Sequence, residues 1–213
     1  MNVDTSTPDG IERARSLDLP GSSLADVIFV SDIRGASHMF TQYLEAPKRR
    51  ARIFALLRHP VKRAVTMYSL HAWADGSLVD DDLSLLDYSS HPQAGDNPLT
   101  RALTGEDQYE MLTVKHVQTA KEFLRLHVLV GITEFMDASI VRFEQYFAWW
   151  DKDNIQRLKC QGDTIMTGDT RGSHLRAIPF SPEFKALAIR NWADVEVYHY
   201  AKKLFAEQTS LIL

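Results

Sequence analysis

Short apolar runs alternate with longer amphipathic segments along this chain. Three runs have the length of strands and end in polar residues: Val27–Val30, Ile53–Leu57 and His127–Gly131. Their β-branched and aromatic residues are typical of buried strands. Apolar residues at three- and four-residue spacing predict helices between and after these runs. The alternation of strands and helices predicts an α/β fold, in which crossover helices join the strands of a parallel sheet.

The amphipathic segments predict six helices, which cover Met39–Leu44, Pro60 to about Asp75, about Asp107 to Leu126, Glu134–Trp150, and a C-terminal pair after Ser181. Residues 1–23 are polar and interrupted by Pro and Gly, so we expect a flexible or loosely docked lead-in. Residues 76–105 predict an irregular connection. Asn191 and Asp194 predict a capping box for the last helix. A length of 213 residues fits one α/β domain over residues 1–213.

The net charge of −4 conceals a local basic block. Residues 48–63 contain seven Lys or Arg and no Asp or Glu, which leaves 17 basic and 28 acidic residues elsewhere. This asymmetry favours a local anion site over a surface that coats nucleic acid. The alternative is an ordinary solvated face, which suits residues 48–50 better than Arg58.

The composition of the chain limits which disulfides, metal sites and membrane segments it can contain. The single cysteine, Cys160, excludes an intrachain disulfide and a multi-cysteine metal site. No apolar run approaches the length of a membrane span, and the first twenty residues lack the apolar core of a secretory signal.

The turn after the second apolar run combines several features of an anion site. The predicted strand ends beside Arg58, and Pro60 suits the first position of the next helix. A helix N-terminus offers unpaired N–H groups and the positive end of the helix dipole. With Arg58, Lys62 and Arg63 close in sequence, the turn predicts a site for a phosphate or similar anion.

The segment Leu57–Tyr68 resembles the 3′-phosphate-binding segment of sulfotransferases that use 3′-phosphoadenosine-5′-phosphosulfate. In that family the segment runs leucine-arginine-aspartate-proline, followed by arginine, serine and tyrosine. Three further segments resemble, in the same order, the carbohydrate (heparan sulfate 2-O-type) sulfotransferase branch: Asn97–Gly105, Val130–Phe135 and Asp194–Phe205. The resemblance extends over most of residues 28–208, within which the four segments lie.

The resemblance implies a P-loop-like sulfotransferase fold and transfer of a sulfuryl group from this nucleotide donor to a carbohydrate hydroxyl, as in glycosaminoglycan sulfation. It implies that Arg58 and Thr66 bind the ribose 3′-phosphate, that Arg63 belongs to the same cofactor site, and that Asn97 and Arg101 line the nucleotide or acceptor side. We expect no metal, no redox cofactor and no nucleic-acid partner. Relatives of this type act in the Golgi lumen behind an N-terminal membrane anchor, although no anchor is predicted here.

Two departures from the family pattern stand out. His59 replaces the aspartate of the turn, which we expect to alter the helix cap and keep the phosphate grip. The family's lysine- and glycine-containing loop, which cradles the 5′-phosphosulfate, has no counterpart, since the early turn at residues 19–23 lacks a lysine and a preceding strand. We therefore expect the catalytic domain to be N-terminally incomplete.

The acceptor hydroxyl needs a general base, and His38 is the nearest counterpart of the family's base. A surface histidine in a turn is an equal alternative. A degenerate member that binds nucleotide or sulfated glycan without turnover is the second hypothesis for the whole chain. A kinase-like phosphate binder is disfavoured, because no G-x-x-x-x-G-K-[ST] sequence occurs.

Overall fold

The computed structural model describes residues 3–22, 24–25, 27–40, 52–73, 83–149 and 178–211. The α-helices in chain order are α1 (Pro8–Ser16), α2 (Ile33–Met39), α3 (Pro60–Trp73), α4 (Leu85–Tyr88), α5 (Pro98–Thr104), α6 (Val114–His127), α7 (Met136–Tyr146), α8 (Pro182–Arg190) and α9 (Trp192–Glu207). The strands are β1 (Ile53–Leu57) and β2 (Val128–Ile132). Short 3₁₀ turns cover Pro92–Ala94, Thr133–Phe135 and Gln208–Leu211.

The two strands pair in parallel, in a register that runs from Ile53 opposite Val128 to Leu57 opposite Ile132. All of β2 is buried, whereas Leu56 of β1 is 42% exposed. A parallel sheet joined by intervening helices confirms the α/β class in its general form. Within the described residues the sheet has two strands.

The outer edge of β2 is closed by side chains. The Gln208 side chain accepts a hydrogen bond from Val130 N at 2.9 Å and donates one to Val128 O at 2.8 Å. The Arg142 guanidinium also donates to Val130 O, at 3.2 Å. An amide side chain carries both a donor and an acceptor, so Gln208 can stand in for a neighbouring strand. The sheet is therefore blocked from extension on the β2 side.

The main core lies where β2, α6 and α9 meet, and its fully buried members include Leu124, Val130, Ile132, Val197 and Ala201. On the opposite face of β2, a Cβ atom at Gly131 would come within 2.5 Å of the Phe143 ring of α7. A second cluster packs α3 against α8 through Val61, Ala64, Val65 and Leu187. These two clusters fix the positions of α3, α8 and α9 around the strand ends.

One predicted strand is absent from the sheet. Residues 27–30 have no ladder partner among the described residues, and the side chain of Phe29 is 80% exposed. They are tied to the lead-in by hydrogen bonds from Thr5 Oγ1 to Phe29 O and, one residue further on, from Ser31 Oγ to Ser6 O. An apolar run shows a preference for extended structure, but pairing depends on which strand lies alongside.

Helix boundaries follow local hydrogen bonds that the apolar pattern does not show. Helix α2 begins at Ile33, where the Asp32 carboxylate accepts from Arg34 N and Gly35 N. Helix α3 begins at Pro60, as predicted. Helix α6 begins at Val114, later than predicted, and the predicted helix from Glu134 opens as a 3₁₀ turn before α7.

Two segments contain more helix than expected. Residues 8–16 of the predicted lead-in form α1, whose Ile11 and Ala14 are buried and which contacts α2. Residues 83–105 of the predicted irregular connection contain α4 and α5. The residues expected to stop α3, Asp75 and Gly76, lie outside the described ranges. None of the described helices is both long enough and apolar enough to span a lipid bilayer.

Candidate anion-binding site

The carboxyl ends of the two strands lie side by side. Leu57 pairs with Ile132 in the last position of the ladder, so Arg58 and Thr133 follow neighbouring strand ends. Ligands of open α/β sheets collect at this edge, where polar loop residues converge. The candidate site consists of the β1–α3 turn, the first turns of α3, the 3₁₀ turn after β2 and the facing side of α9.

His59 caps the start of α3. Its Nδ1 atom accepts a hydrogen bond from Val61 N at 3.2 Å, and its carbonyl oxygen accepts one from Arg63 N at 2.9 Å. The ring packs against Tyr198 and Phe184, with centroid distances of 5.2 Å and 5.7 Å. Burial lowers the pKa of the imidazole, which favours the unprotonated form that can accept this bond. The imidazole thus caps the first turn of α3.

Glu134 lies at the centre of the site and accepts from four groups. Its Oε1 atom receives His59 N at 3.3 Å and the Lys62 ammonium at 3.2 Å. Its Oε2 atom receives the Tyr198 hydroxyl at 2.8 Å and the Thr133 hydroxyl at 3.0 Å. This carboxylate occupies the position beside the α3 N-terminus where the sequence predicted an external anion.

The surroundings of Glu134 and Tyr198 determine the protonation state of each group. Burial opposes ionisation of Glu134, but hydrogen bonds from Tyr198 and Lys62 outweigh it and lower the pKa of the carboxyl group. Burial and the bond to this carboxylate raise the pKa of Tyr198 far above its usual range. Near neutral pH the pair is therefore a carboxylate that accepts from a neutral phenol.

Arg58 and Thr66 lie on the elements that the resemblance assigns to them. Arg58 is half-buried directly after β1, and its side chain makes no hydrogen bond or ion pair with any described residue. Thr66 is half-buried on α3, where its hydroxyl donates to the Lys62 carbonyl oxygen at 3.0 Å. The Arg58 guanidinium therefore has donors for a ligand. The Thr66 hydroxyl can donate to a ligand only after it gives up its hydrogen bond to the Lys62 carbonyl oxygen.

Arg63 is placed differently from Lys62. It is exposed on α3, and its positive charge acts on the Asp194 carboxyl and the Tyr88 hydroxyl, which belong to α9 and α4. Burial still raises the pKa of both groups, and Arg63 offsets part of that rise. The structure thus brings Lys62 and Glu134 together beside the turn that follows Arg58, with Arg63 on the side of α3 nearer to α4.

Asn97 connects α5 to α9. Its side chain is 2% exposed; Oδ1 accepts from Ala193 N at 2.8 Å and Asp194 N at 3.1 Å, and Nδ2 donates to Arg190 O at 3.0 Å. Asp194 reciprocates by accepting from the backbone N–H groups of Leu99 and Thr100 at the start of α5. Each side chain caps the other's helix. Contact of Asn97 with substrate stays a prediction.

The predicted capping box of the last helix is wrong. Asn191 makes no side-chain cap bond to α9. Its Nδ2 atom donates to Leu187 O, and its Oδ1 atom accepts from Asn97 N. Asn97 lies about ninety residues away from Asn191 in sequence, so a pattern of local spacing could not identify this contact.

Arg101 is occupied within its own loop. Its guanidinium donates to the Asp96 carboxylate at 2.7 Å, the Asp96 carbonyl at 3.1 Å, the Glu110 carbonyl at 3.0 Å and the Asp107 carbonyl. Its side chain is 11% exposed. These bonds hold residues 105–111 against α5, and the predicted role in binding a substrate stays a prediction.

Several predicted residues lie outside the described part of the structure. The backbone of His38 belongs to α2, but its side chain is not described. Lys48, Arg49, Arg50 and Cys160 are also outside the described ranges. No sequence pattern predicted the pairing of Glu134 with Tyr198, although both residues lie in segments that carry the resemblance.

No protein-family model matches the chain, and comparisons with curated proteins and with solved structures likewise produced no match. The site therefore has to be interpreted from its own residues.

Proposed function

We propose that this chain is a sulfotransferase-fold protein that binds 3′-phosphoadenosine-5′-phosphosulfate and transfers its sulfuryl group to a carbohydrate hydroxyl. One observation carries the proposal. Arg58 lies half-buried at the carboxyl end of β1, has no partner among the described residues, and precedes by eight residues a helix hydroxyl, Thr66. This is the residue spacing of the family's 3′-phosphate segment.

The chemistry of these groups suits a phosphate monoester. A planar guanidinium can donate two parallel hydrogen bonds to phosphate, and a hydroxyl can add a third. The His59 cap and the Glu134 bond to His59 N hold the peptide that follows Arg58, so the guanidinium starts from a fixed backbone. Ordering of this kind lowers the entropic cost of binding.

Sulfuryl transfer would need positioning and charge stabilisation more than a metal. The bond from sulfur to the acceptor oxygen forms as the bond from sulfur to the donor's 5′-phosphate oxygen breaks, which leaves 3′,5′-adenosine bisphosphate. The acceptor's proton passes to a base, for which we propose His38. Arg58 and Thr66 hold the donor at its 3′-phosphate, away from the reacting sulfur.

A second function has one observation in its favour. The sequence contains no lysine- and glycine-bearing loop after an early strand, so it has no counterpart of the loop that binds the 5′-phosphosulfate in that family. The alternative is a degenerate sulfotransferase-fold protein that binds the nucleotide or a sulfated glycan without turnover. Both functions use Arg58 in the same way.

The test begins with calorimetric titration of 3′,5′-adenosine bisphosphate. We expect Arg58→Ala to weaken binding by at least about tenfold, because it removes charge-assisted hydrogen bonds. Arg13→Ala, which removes an exposed guanidinium from α1, serves as the matched control and should leave affinity unchanged. Equal affinities of wild type and Arg58→Ala would contradict the proposal.

A sulfate-transfer assay on heparan-like acceptors then separates the two functions. Transfer that His38→Ala abolishes, with nucleotide binding retained, would support catalysis through this histidine. Nucleotide binding without transfer would select the degenerate alternative. Full transferase activity in His38→Ala would exclude His38 as the base.

A further inference from the structure

A second cation lies at the turn that follows Arg58 in sequence and is held by a carboxylate. The Lys62 ammonium is 3.2 Å from Glu134 Oε1, and the same oxygen accepts from His59 N, the amide next to Arg58. The Lys62 side chain is 57% exposed, whereas that of Glu134 is 20% exposed. Lys62 therefore reaches from solvent toward the turn that carries Arg58.

Lys62 also shares a helix face with Thr66. The two residues are four positions apart on α3, a spacing that places side chains one above the other. The Thr66 hydroxyl donates to the Lys62 carbonyl oxygen at 3.0 Å, which is the usual bond of a threonine within a helix. A phosphate bound by both Arg58 and Thr66 would therefore lie next to the helix face that carries Lys62.

We propose that Lys62 is a further ligand of the bound phosphate, and that Glu134 positions its ammonium group and competes with the phosphate for it. This inference rests on the proposed function, because it names an additional contact in the same site. The preferred ligand is a phosphate monoester dianion, whose charge of about −1.5 to −2 exceeds that of one carboxylate.

The hydrogen bonds of Glu134 make such an exchange feasible. If Lys62 turns toward a phosphate, the carboxylate keeps three donors: His59 N, the Thr133 hydroxyl and the Tyr198 hydroxyl. A partly buried carboxylate that loses its only partners would incur a large desolvation cost, but this one stays satisfied. Its low pKa keeps it ionised near neutrality, so it remains a competitor for the ammonium group.

Arg58 and Lys62 differ in how freely their side chains can move. Arg58 follows a strand and is anchored by the capped turn, whereas Lys62 is long, flexible and mostly exposed. Lysine acts as a rotatable point charge and arginine as a fixed fork. We infer that Arg58 sets the orientation of the phosphate and that Lys62 adds charge after the phosphate has arrived.

The test is a double-mutant cycle at Lys62 and Glu134, with 3′,5′-adenosine bisphosphate as the probe. We expect Lys62→Ala to weaken binding by about fivefold, a modest effect because the group is exposed. Lys62→Arg, which keeps the charge, should recover most of the affinity. Glu134→Gln should strengthen binding about three- to fivefold, since it frees the ammonium group and removes a negative charge.

The decisive result is the coupling between the two sites. In the Lys62→Ala background, Glu134→Gln should give clearly less improvement than in wild type, since the freed ammonium group is absent. An equal improvement in both backgrounds, or weaker binding in Glu134→Gln, would overturn the inference. Lys62→Met removes the charge but keeps most of the side-chain length, and Glu134 retains its other three donors in it, so unchanged affinity in this variant would also overturn the inference.

Controls separate this inference from the proposed function. If Arg58→Ala abolishes binding while the Lys62 variants bind normally, the proposed function stands and the role of Lys62 is wrong. If Arg58→Ala has no effect, the proposed function itself fails. Adenosine 5′-monophosphate, which lacks the 3′-phosphate, should show no dependence on Lys62. Lys185→Ala on α8 controls for the general loss of an exposed ammonium group.

Discussion

At the residue scale, the site depends on how Glu134 and His59 share backbone and side-chain donors. One oxygen of Glu134 accepts from His59 N, while the His59 ring accepts from Val61 N. Both groups work as acceptors, so each must remain unprotonated. The arrangement links the β1–α3 turn to the protonation of a single half-buried imidazole.

The first prediction concerns the pH dependence of stability. Because burial lowers the pKa of His59 in the folded protein, the unfolded chain binds this proton more readily. The contribution of the cap is fully present above the unfolded pKa of about 6.5 and is lost as the pH falls through the folded pKa. Asparagine caps helices without titrating, so His59→Asn should lose less stability than wild type between pH 7.5 and pH 5.

Urea unfolding at several pH values measures this difference. His59→Ala should cost about 1 kcal/mol at pH 7.5, where the cap is intact. The charges that face His59 are those of Glu134, Lys62, His199 and Lys202. His199→Asn therefore serves as a control for a nearby exposed histidine. Parallel stability curves for wild type and His59→Asn would show that the cap does not depend on pH.

At the element scale, local signals account for part of the structure. Pro60 predicts the start of α3, because proline is suited to the first turn of a helix, and the run 53–57 predicts β1 correctly. The run at Val27–Val30 is also apolar but lies outside the sheet. Local sequence predicts extended structure, whereas tertiary contacts decide which extended segments pair.

The second prediction concerns the mutual capping of α5 and α9. Asn97→Ala would leave the N–H groups of Ala193 and Asp194 without their buried acceptor. We expect a loss of about 2–4 kcal/mol in the free energy of unfolding. The exposed Thr119→Ala, which removes a hydroxyl bonded to Lys115 O within α6, should cost far less. Urea denaturation midpoints compare the two variants.

The same variant separates a structural role of Asn97 from a role in binding. If Asn97 serves only to cap α9, Asn97→Ala should unfold more easily and still bind 3′,5′-adenosine bisphosphate normally below its unfolding transition. A specific loss of nucleotide affinity, with stability close to that of wild type, would contradict the capping interpretation and support the predicted contact.

At the scale of the whole molecule, the candidate site joins parts that are far apart in sequence. Glu134 follows β2, His59 and Lys62 begin α3, and Tyr198 belongs to α9. The sequence predicted the basic turn because Arg58, Lys62 and Arg63 are neighbours in it. The carboxylate that fills the turn lies about 75 residues away from His59, and no periodic pattern could reveal that contact.

The last prediction uses this connection between distant elements. A ligand that binds only the folded state stabilises it by RT ln(1 + [L]/Kd), which is about 2.7 kcal/mol when its concentration is 100 times Kd. For a domain of this size, such a gain raises the Tm by roughly 5–10 °C. We therefore expect 3′,5′-adenosine bisphosphate to raise the Tm of the wild-type chain and of Arg13→Ala, and to raise that of Arg58→Ala by about half as much or less at the same concentration. Since Tyr198 anchors α9 to Glu134, the bound ligand should also slow amide exchange in α9. Protection confined to α3 would mean that the turn binds its ligand without involving the C-terminal helix.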